Sequence, residues 1–519
     1  MASSKIYLKS YESFLEKIVQ GSVATNEALK RLRDMGHKVV PLEKGTLSFK
    51  VWVYPYKCKR FRVPDLICLR CATSFEVRAK TSLEISMSHS GSDEHRAWDY
   101  GLEDGDYIIF VGVTKTGEKP IDYSVDGVLN FANVGSLRGA FTKGKIVEAR
   151  RKGREEGFEK RIIWPTRFAS ANGTVVDVND EYLKVNYDNS RKTVKIKLKE
   201  KEMKLIPLVR KGDRVAKNQA IASVVPDITT EYSCTPKSDA LQYFVNLLNN
   251  PNEVRRYIGA KVLRYFPPTD NVLDALARTV ENASESKFVR IEAAVSLLEL
   301  GDRDKIAYNF LTNMLKEERE LCFRNEVILS LAEVKSDETF KEVKNYEAVK
   351  KAYNIIKDLL FDKNQDVSTR AVSAWALGEL HIPDAVDLLV EAFDDLPDEV
   401  KKESARALLQ IVRSHHETIN NILPFFNSDE KKRPGIAWVL MKYLSGLNKY
   451  VDIHEFVSKL TNVITDDNHR YWISYILGMQ KPSDELKGIL PHLKDEKLFF
   501  GVNLLWTVIN SWVWGLEEW

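Results

Sequence analysis

Two acidic residues, Asp65 and Glu76, have the type and spacing that metal-dependent chemistry requires. They lie in the β-type runs Val63–Leu69 and Ser74–Lys80, which turn residues separate. Carboxylates on adjacent strands bind a hard divalent cation such as Mg²⁺ or Mn²⁺, and the ion lowers the pKa of a bound water and polarises a phosphate. Glu27, in a predicted helix, could supply a third ligand. This set favours phosphodiester hydrolysis.

Two cationic residues follow Glu76 on the same predicted strand. Side chains two positions apart share a face, so Glu76, Arg78 and Lys80 should point the same way. Arg78 can bind phosphate but cannot act as a base. Lys80, about 7 Å further along at ~3.4 Å per residue, could orient the attacking water. Alternatively, Glu76 is a surface residue with cross-strand cationic partners, and Asp65 and Glu27 are ordinary strand-start and helix acids.

Several elements must position these side chains. The apolar spacing predicts a helix over Ala24–Gly36, with Gly36 as its stop, and a second, polar helix over Ser92–Leu102. Ser86–His95, which overlaps that helix, is polar and is typical of a loop. Strands are predicted at Lys38–Leu42, Leu47–Tyr54, Val63–Leu69, Ser74–Lys80 and Tyr107–Val113.

This order of elements and acids resembles the PD-(D/E)XK nuclease superfamily over about 100 residues. The run from Glu27 to Val40 is similar to its first helix and strand, and Pro64-Asp65 to the opening of its second strand. The resemblance implies an α/β nuclease-like head (residues 1–130), with Asp65, Glu76, Lys80 and Arg78 as catalytic residues and Mg²⁺ or Mn²⁺ bound by Asp65, Glu76 and Glu27. The sequence departs from the family where Arg78 replaces the motif lysine, which leaves a non-catalytic nucleic-acid-binding protein as the alternative.

The cysteines offer a second, softer ligand set. Cys68-Leu-Arg-Cys71, with Cys58 upstream, has the spacing of half a zinc knuckle, but no second CxxC exists in the sequence. His89 or His95 would have to complete the site. Because Cys68 lies inside an apolar strand, the sequence favours buried structural thiols over zinc at Cys58, Cys68 and Cys71.

Residues 131–235 predict a basic β-rich barrel or sandwich domain, with strands at Gly173–Val178, Tyr182–Tyr187 and Thr193–Lys199. Val209–Gln219 resembles a turn of barrel-sandwich hybrid domains but lacks the carrier Met-Lys-Met hairpin. The segment has 22 Lys+Arg and 13 Asp+Glu, a surplus that favours phosphate contacts with double-stranded DNA over a merely exposed strand surface. The residues predicted to bind nucleic acid are Arg150, Arg151, Lys152, Arg154, Lys160, Arg161, Arg167, Lys195, Lys197 and Lys199.

Residues 236–519 carry an internal repeat of helical type. Arg255, Arg290 and Arg324 recur at intervals of 35 and 34 residues, each early in an apolar run. The pattern resembles HEAT repeats, which implies an all-α solenoid and a protein partner on its surface. The uncharged stretch Leu498–Leu516 predicts a closing helix rather than a membrane span.

Charge and composition narrow the functional classes. The net charge of +3 conceals a basic middle segment and a C-terminal part with 36 Lys+Arg and 44 Asp+Glu. Five cysteines do not make a disulfide framework, and no Walker A loop, GxGxxG, HExxH or GxSxG is present. We therefore expect a cytoplasmic, metal-dependent DNA endonuclease without a membrane segment. The alternatives are a catalytically inactive nucleic-acid-binding protein and a HEAT-repeat scaffold.

Overall fold

The computed structural model describes residues 11–42, 62–150, 159–190, 192–301, 303–334, 346–394, 397–446 and 452–509. The chain divides into two compact units between Phe266 and Pro267. Some predicted features lie outside the described residues: the strand Leu47–Tyr54, Cys58, the side chain of Arg150, Arg151, Lys152, Arg154 and the end of the predicted closing helix.

The first unit is built on a six-stranded mixed sheet that follows helix α1 (Tyr11–Asp34). In sheet order its strands are β1 (Val39–Pro41), β2 (Leu66–Cys68), β3 (Ser74–Lys80), β5 (Tyr107–Lys115), β6 (Tyr123–Asn133) and β18 (Ile228–Thr229). β3 runs parallel to β5, and the other neighbours are antiparallel. The described strands that flank the acids are confirmed, and so is the predicted helix, although it begins at Tyr11 rather than at Ala24. Gly36 follows the helix with φ +85°, a conformation that glycine adopts without strain.

The segment between β3 and β5 differs from the prediction. Ser86–Ser90, predicted as a loop, forms strand β4, which pairs with β8 (Glu159–Ile163). The helix predicted at Ser92–Leu102 is reduced to a 3₁₀ turn, Glu94–Arg96. The predicted helical segment Ser92–Leu102 has no apolar face at helical spacing. At Ser86–Ser90, tertiary pairing with β8 overrides the weak local preference for a loop.

Apart from β18, which joins the main sheet, the β-rich segment forms several small sheets. Its strands are β7 (Val147–Arg150), β8, β9 (Thr166–Phe168), β10 (Gly173–Val178), β11 (Tyr182–Tyr187), β12 (Thr193–Lys197), β13 (Lys199–Glu200), β14 (Met203–Lys204), β15 (Ile206–Pro207), β16 (Arg214–Val215) and β17 (Ala220–Ser223). The first two predicted strands are confirmed, and the third breaks at Leu198. Ile108 and Phe110 of the main sheet share one apolar core with Val175 and Leu183, so this segment packs on the head.

The two faces of the main sheet carry different cores. Phe75 and Val77 of β3 pack with Ala24, Ala28 and Leu32 of α1. The opposite face carries Ile108 and Phe110 of β5. Because successive side chains of a strand alternate between faces, Glu76 projects away from α1.

Among its described residues, the first unit has three further α-helices: α2 (Val134–Thr142), α3 (Ala240–Leu247) and α4 (Glu253–Val262). A buried ion pair fixes α4. Arg255 donates to Asp106 beside β5, and the Asp106 carboxylate also accepts from the backbone N–H groups of Ser74 and Glu103, each at 2.7 Å. Arg255 and Asp106 are 2% and 3% exposed, respectively. The first two helices of the predicted solenoid therefore belong to the same compact unit as the head.

The second unit is all-α over its described residues. Its helices are α5 (Asp270–Glu281), α6 (Lys287–Leu300), α7 (Asp304–Glu317), α8 (Leu321–Leu331), α9 (Tyr346–Ile356), α10 (Val367–Glu379), α11 (Val386–Glu391), α12 (Asp398–Ser414), α13 (Ile419–Ser428), α14 (Arg433–Ser445), α15 (Ile453–Thr461), α16 (Asp467–Gly478), α17 (Asp484–Ile489) and α18 (Glu496–Ile509). From α6 to α18, each even-numbered helix packs against the next even-numbered helix, which produces a ladder of stacked helices. None of the described helices is long and apolar enough to cross a membrane.

A repeated arginine links consecutive helices of this unit. The Nε–H of Arg290, Arg370 and Arg433 donates at 2.9 Å to Val280, Leu360 and Phe426 carbonyls, respectively. Each acceptor lies near the end of the preceding helical segment, where carbonyls lack an intrahelical partner. Of the three arginines that recur in the sequence, only Arg290 forms this cap, because Arg255 pairs with Asp106 and Arg324 donates to the Gln365 side chain at 3.0 Å.

Loss of Arg255 should destabilise the first unit. Arg255→Met leaves Asp106 buried without its cation, and we expect a loss of about 3–5 kcal/mol. Hydrogen exchange in peptides from β3 and β5 measures it. Burial raises the pKa of Asp106, and Arg255 opposes that shift. Without Arg255, Asp106 takes up a proton in the folded state as pH falls, so the deficit should be smaller at acidic pH than at neutral pH.

The control is Arg214→Met, which removes an exposed pair with Asp188 in the same unit and should change the exchange little, because solvent screens such a pair. Equal hydrogen-exchange rates of the β3 and β5 peptides in the two variants would contradict a role for Arg255 in anchoring α4.

Candidate functional site

Asp65 and Glu76 are neighbours on one face of the main sheet. Leu66 lies opposite Phe75, so one further step of the β2–β3 register places Asp65 opposite Glu76. Asp65 Oδ2 accepts a 2.7 Å hydrogen bond from the backbone N–H of Val77. Asp65 and Glu76 are 8% and 4% exposed. The two acidic residues are therefore neighbours across the β2–β3 pair, and their joint binding of a cation stays a prediction.

The cations of β3 lie beside these carboxylates. Arg78 forms an ion pair with Glu76. The Lys80 Nζ donates at 2.8 Å to both the carbonyl and the hydroxyl oxygen of Ser86, and Arg161 donates to the same hydroxyl at 3.3 Å. Glu76, Arg78 and Lys80 thus share a face, as predicted, and β4 supplies a hydroxyl that the sequence did not indicate.

The environment of Lys80 makes it easier to deprotonate. Burial lowers the pKa of Lys80 to about 8, and the positive charge of Arg78 contributes in the same direction. A lysine with such a pKa is partly neutral near physiological pH and can accept a proton. The arrangement can therefore supply acid–base chemistry where Arg78 cannot.

Glu27 is not brought to this cluster. It accepts a 2.7 Å hydrogen bond from Arg31, which also donates to the Gly127 carbonyl at 3.2 Å. The helix that carries Glu27 packs on the opposite face of the sheet from Glu76. The structure therefore brings together Asp65 and Glu76 and leaves the third predicted metal ligand apart; a metal at the two carboxylates stays a prediction.

Most of the described basic residues predicted to bind nucleic acid have partners. Lys160 pairs with Glu148 at 2.7 Å, Arg167 with Glu200 at 2.6 Å, and Lys199 with Glu202 at 3.4 Å. Arg161 pairs with Glu84. Lys195 lies over the Tyr182 ring, with Nζ 3.9 Å from its centroid, and Lys197 is exposed. Local acids thus balance much of the charge, and the DNA interface stays a prediction.

Cys68 and Cys71 are buried, as predicted, but their surroundings were missed. The donor atoms of His37, Cys68, Cys71 and Cys234 lie within 4.8 Å of one another. The hydrogen bond from Cys68, followed by that with His37, lowers the pKa of Cys71 below that of an ordinary thiol. No sequence motif marks His37 and Cys234, because 34 and 163 residues, respectively, separate them from Cys71.

The histidines proposed to complete a zinc site lie elsewhere. His89 accepts from the Trp98 backbone N–H at 3.4 Å and packs against Phe141, whereas His95 packs against Tyr100. Neither belongs to the group around Cys71.

The second unit contains a cleft of about 430 Å³ between α12 and α14. Phe393, Ala405, Pro434 and Trp438 provide its apolar surface. Its basic residues are Lys401, Lys402, Arg406 and Lys431.

The family match covers a single repeat. Residues 369–395, which end beside this cleft, match the PBS lyase HEAT-like repeat. The HEAT-like character of the C-terminal part is therefore confirmed. The match does not reach the head, whose nuclease fold and activity stay predictions. No curated protein matches the chain.

Solved helical-repeat structures resemble parts of the chain. The karyopherin Kap121p is 16% identical over 46% of this chain and 29% of its own, with a TM-score of 0.30. The TSC2 N-terminus is 12% identical over 53% and 95%, at 0.28, and human deoxyhypusine hydroxylase is 14% identical over 49% and 99%, at 0.22. The chain thus spans less than a third of Kap121p, and scores this low carry no inference about function.

Removal of Arg78 should raise the pKa of Lys80. Arg78→Gln deletes a positive neighbour and releases Glu76, and both changes favour protonated Lys80. Titration of ¹³C-methylated lysines by NMR should give about 8 for Lys80 in the native protein and a higher value in the variant. Because folded Lys80 binds its proton less tightly than the unfolded chain, this residue should add stability as pH rises from 8 toward 10.5.

Lys115 serves as the control resonance, since its hydrogen bond to Glu16 raises its pKa and Arg78→Gln should leave it unchanged. A native Lys80 that titrates at the ordinary lysine value would contradict the environment described above.

Proposed function

We propose that this protein is a HEAT-repeat scaffold whose second unit binds an acidic peptide segment of a partner protein. The observation that supports this proposal is the cleft beside the HEAT-like repeat at residues 369–395, where apolar side chains lie among lysines. An acidic segment with an apolar anchor residue has the chemistry that fits both features. Attraction between the lysines and the acidic residues would set the orientation and the association rate of the peptide. Its apolar anchor residue would supply most of the affinity.

The lysines of the cleft are available for a partner. Lys401, Lys402 and Lys431 form no ion pair within the described part of the chain. Neighbouring Lys432 differs, because it is buried among Glu391, Asp394 and Asp429, all within 3.3 Å. Lys432 therefore holds neighbouring repeats together, whereas Lys401, Lys402 and Lys431 line the cleft of a C-terminal part that is acidic as a whole.

The apolar part of the cleft has a defined shape. Phe393 packs against Gly435, where an added Cβ would lie 2.6 Å from its ring. The absence of a side chain there lets the loop after α11 approach α14 closely. Trp438, one turn further along α14, is half-buried and leaves an indole surface in the cleft. Aromatic surfaces of this kind are common energetic centres of protein interfaces.

Reversal of the cleft charge should abolish peptide binding. The probe is a fluorescein-labelled peptide of Asp and Glu residues around a central Phe-Leu pair. Fluorescence anisotropy should show binding that weakens with salt, because exposed charges are screened. Combined Lys401→Glu, Lys402→Glu and Lys431→Glu should weaken it at least about 30-fold, and Trp438→Ala about tenfold or more.

The matched control is Lys487→Glu, Lys494→Glu and Lys497→Glu, which makes the same change in charge at exposed sites away from the cleft. If this control weakened binding as much as the cleft variant, the attraction would be non-specific and the proposed site would be wrong. The same conclusion would follow if a basic peptide bound equally well.

A second candidate function rests on the first unit. We infer that Asp65 and Glu76 support metal-dependent cleavage of DNA, with Lys80 as the nearby proton acceptor. What favours this function is the cross-strand placement of the two carboxylates beside a lysine of lowered pKa. Mg²⁺ or Mn²⁺ fits an all-oxygen site of this kind. Cleavage would require the Glu76–Arg78 pair to open when the ion binds.

Asp65→Asn should abolish cleavage without unfolding the sheet. The asparagine keeps an oxygen that can accept from the Val77 N–H but loses the charge that binds the cation. Loss of the metal should raise the activation free energy of cleavage by several kcal/mol, which slows cleavage roughly 100-fold or more. Nicking of supercoiled plasmid in MgCl₂ or MnCl₂ measures it, with hydrogen exchange in β2 and β3 as the check on folding.

Exposed Glu118→Gln is the matched control and should cleave like the native protein. Metal-dependent nicking that survives in Asp65→Asn would assign the activity to another protein in the sample. Absence of nicking by the native protein in both metals would leave the scaffold function alone.

A further inference from the structure

Three distant segments of the first unit meet at one group of soft ligands. His37 follows the C-terminus of α1, Cys68 and Cys71 lie at the β2–β3 turn, and Cys234 follows β18. The first three are buried and Cys234 is half-buried. Within the described residues, this is the only group of three or more His, Cys, Asp or Glu side chains whose donor atoms are close enough to hold a metal ion.

Two of the six donor–donor distances within the group match the edges of a zinc tetrahedron, and all six are within 4.8 Å. With Zn–S at about 2.3 Å and Zn–N at about 2.1 Å, a tetrahedron has S···S edges of about 3.8 Å and S···N edges of about 3.6 Å. Cys68 Sγ lies 3.8 Å from Cys234 Sγ, and Cys71 Sγ lies 3.6 Å from His37 Nδ1.

Contacts around the group prepare its donor atoms. His37 Nε2 lies 2.8 Å from the Tyr232 carbonyl oxygen, which can only accept, so Nε2 carries the proton and Nδ1 presents its lone pair to the thiols. Metal-binding histidines in proteins are oriented in this way. The Tyr232 ring also stacks on His37, with centroids 5.3 Å apart.

The CxxC turn has the geometry of a metal-binding knuckle. The Arg70 backbone N–H points at Cys68 Sγ at 3.4 Å, and the Ala72 N–H donates to the Cys68 carbonyl at 2.9 Å. Ala72 has φ +59°, a left-handed conformation that costs about 1 kcal/mol or more in a residue with a Cβ. This tight turn directs Cys68 and Cys71 toward the same point.

We propose that His37, Cys68, Cys71 and Cys234 bind one structural Zn²⁺ in a tetrahedral Cys₃His site. Four protein ligands leave no position for substrate, so the ion stabilises the fold and does not catalyse. It joins the end of α1, the β2–β3 turn and the segment that leads into α3. Lys237, three residues beyond Cys234, donates its backbone N–H to the Arg70 carbonyl at 2.9 Å and extends the same junction.

Zinc content tests the proposal directly. The full chain, purified with reductant and without a metal-affinity tag, should contain one zinc per molecule by elemental mass spectrometry. His37→Ala and Cys71→Ser should lose most of it, whereas His95→Ala, at an exposed histidine outside the group, should retain it. Co²⁺ substitution should give the absorption of a tetrahedral thiolate complex in the native protein and not in Cys71→Ser.

A ligand-for-ligand change guards against loss of zinc through misfolding. Cys234→His, at the half-buried position, should keep zinc, while Cys234→Ala should bind it at least about tenfold more weakly. A native chain without metal after exposure to excess ZnCl₂ would overturn the proposal. So would reactive, metal-independent thiols at all three cysteines, or a Cys68–Cys234 disulfide in protein kept under reductant.

Discussion

The two-residue alternation of strand β3 organises the first unit. Phe75 and Val77 face α1 and form one apolar core, while Glu76, Arg78 and Lys80 face the other way, toward β4 and β8. A register slip of one residue would exchange these sets and place the charges in the apolar core. The Asp65–Val77 hydrogen bond and the Asp106–Ser74 hydrogen bond fix the strand from two directions. The position of every candidate group near the sheet depends on this register.

The sequence was sufficient where local pattern and tertiary structure agree. Polar and apolar residues alternate along β3, and most of β5 is apolar, as expected of a half-buried and a buried strand. Gly36 follows the end of α1, and the recurring arginines identify the helical repeat. It failed at Ser86–Ser90, where pairing with β8 imposes a strand on a polar segment. The Cys₃His group was missed for a similar reason. The chain that follows β18 crosses back over the sheet, where Tyr232 packs on Phe75 and Phe131, and this path brings Cys234 to Cys68. No spacing rule records such a contact.

The solenoid shows how one residue type serves two purposes. Lys432 is surrounded by three acidic side chains, which raise its pKa and retain its charge despite burial. Its carboxylates come from two helix–loop regions, so it joins neighbouring repeats. Lys431 precedes it in the chain but lies exposed at the cleft. A charge count over the acidic C-terminal part cannot separate these roles, because the distinction depends on which helix face each lysine occupies.

The two candidate metal sites of the first unit would not compete for an ion. Asp65 and Glu76 offer hard carboxylate oxygens, which suit Mg²⁺ or Mn²⁺ and exchange ligands readily with water. His37 and the three cysteines offer soft sulfur and nitrogen, which select Zn²⁺. Both sets depend on the same β2–β3 hairpin: Asp65 begins it, Cys68 and Cys71 form its turn, and Glu76 lies on its second strand. A zinc ion at the turn would therefore hold the hairpin in the register that places Asp65 opposite Glu76. Loss of zinc would then weaken the carboxylate site indirectly, through its geometry, without any shared ligand.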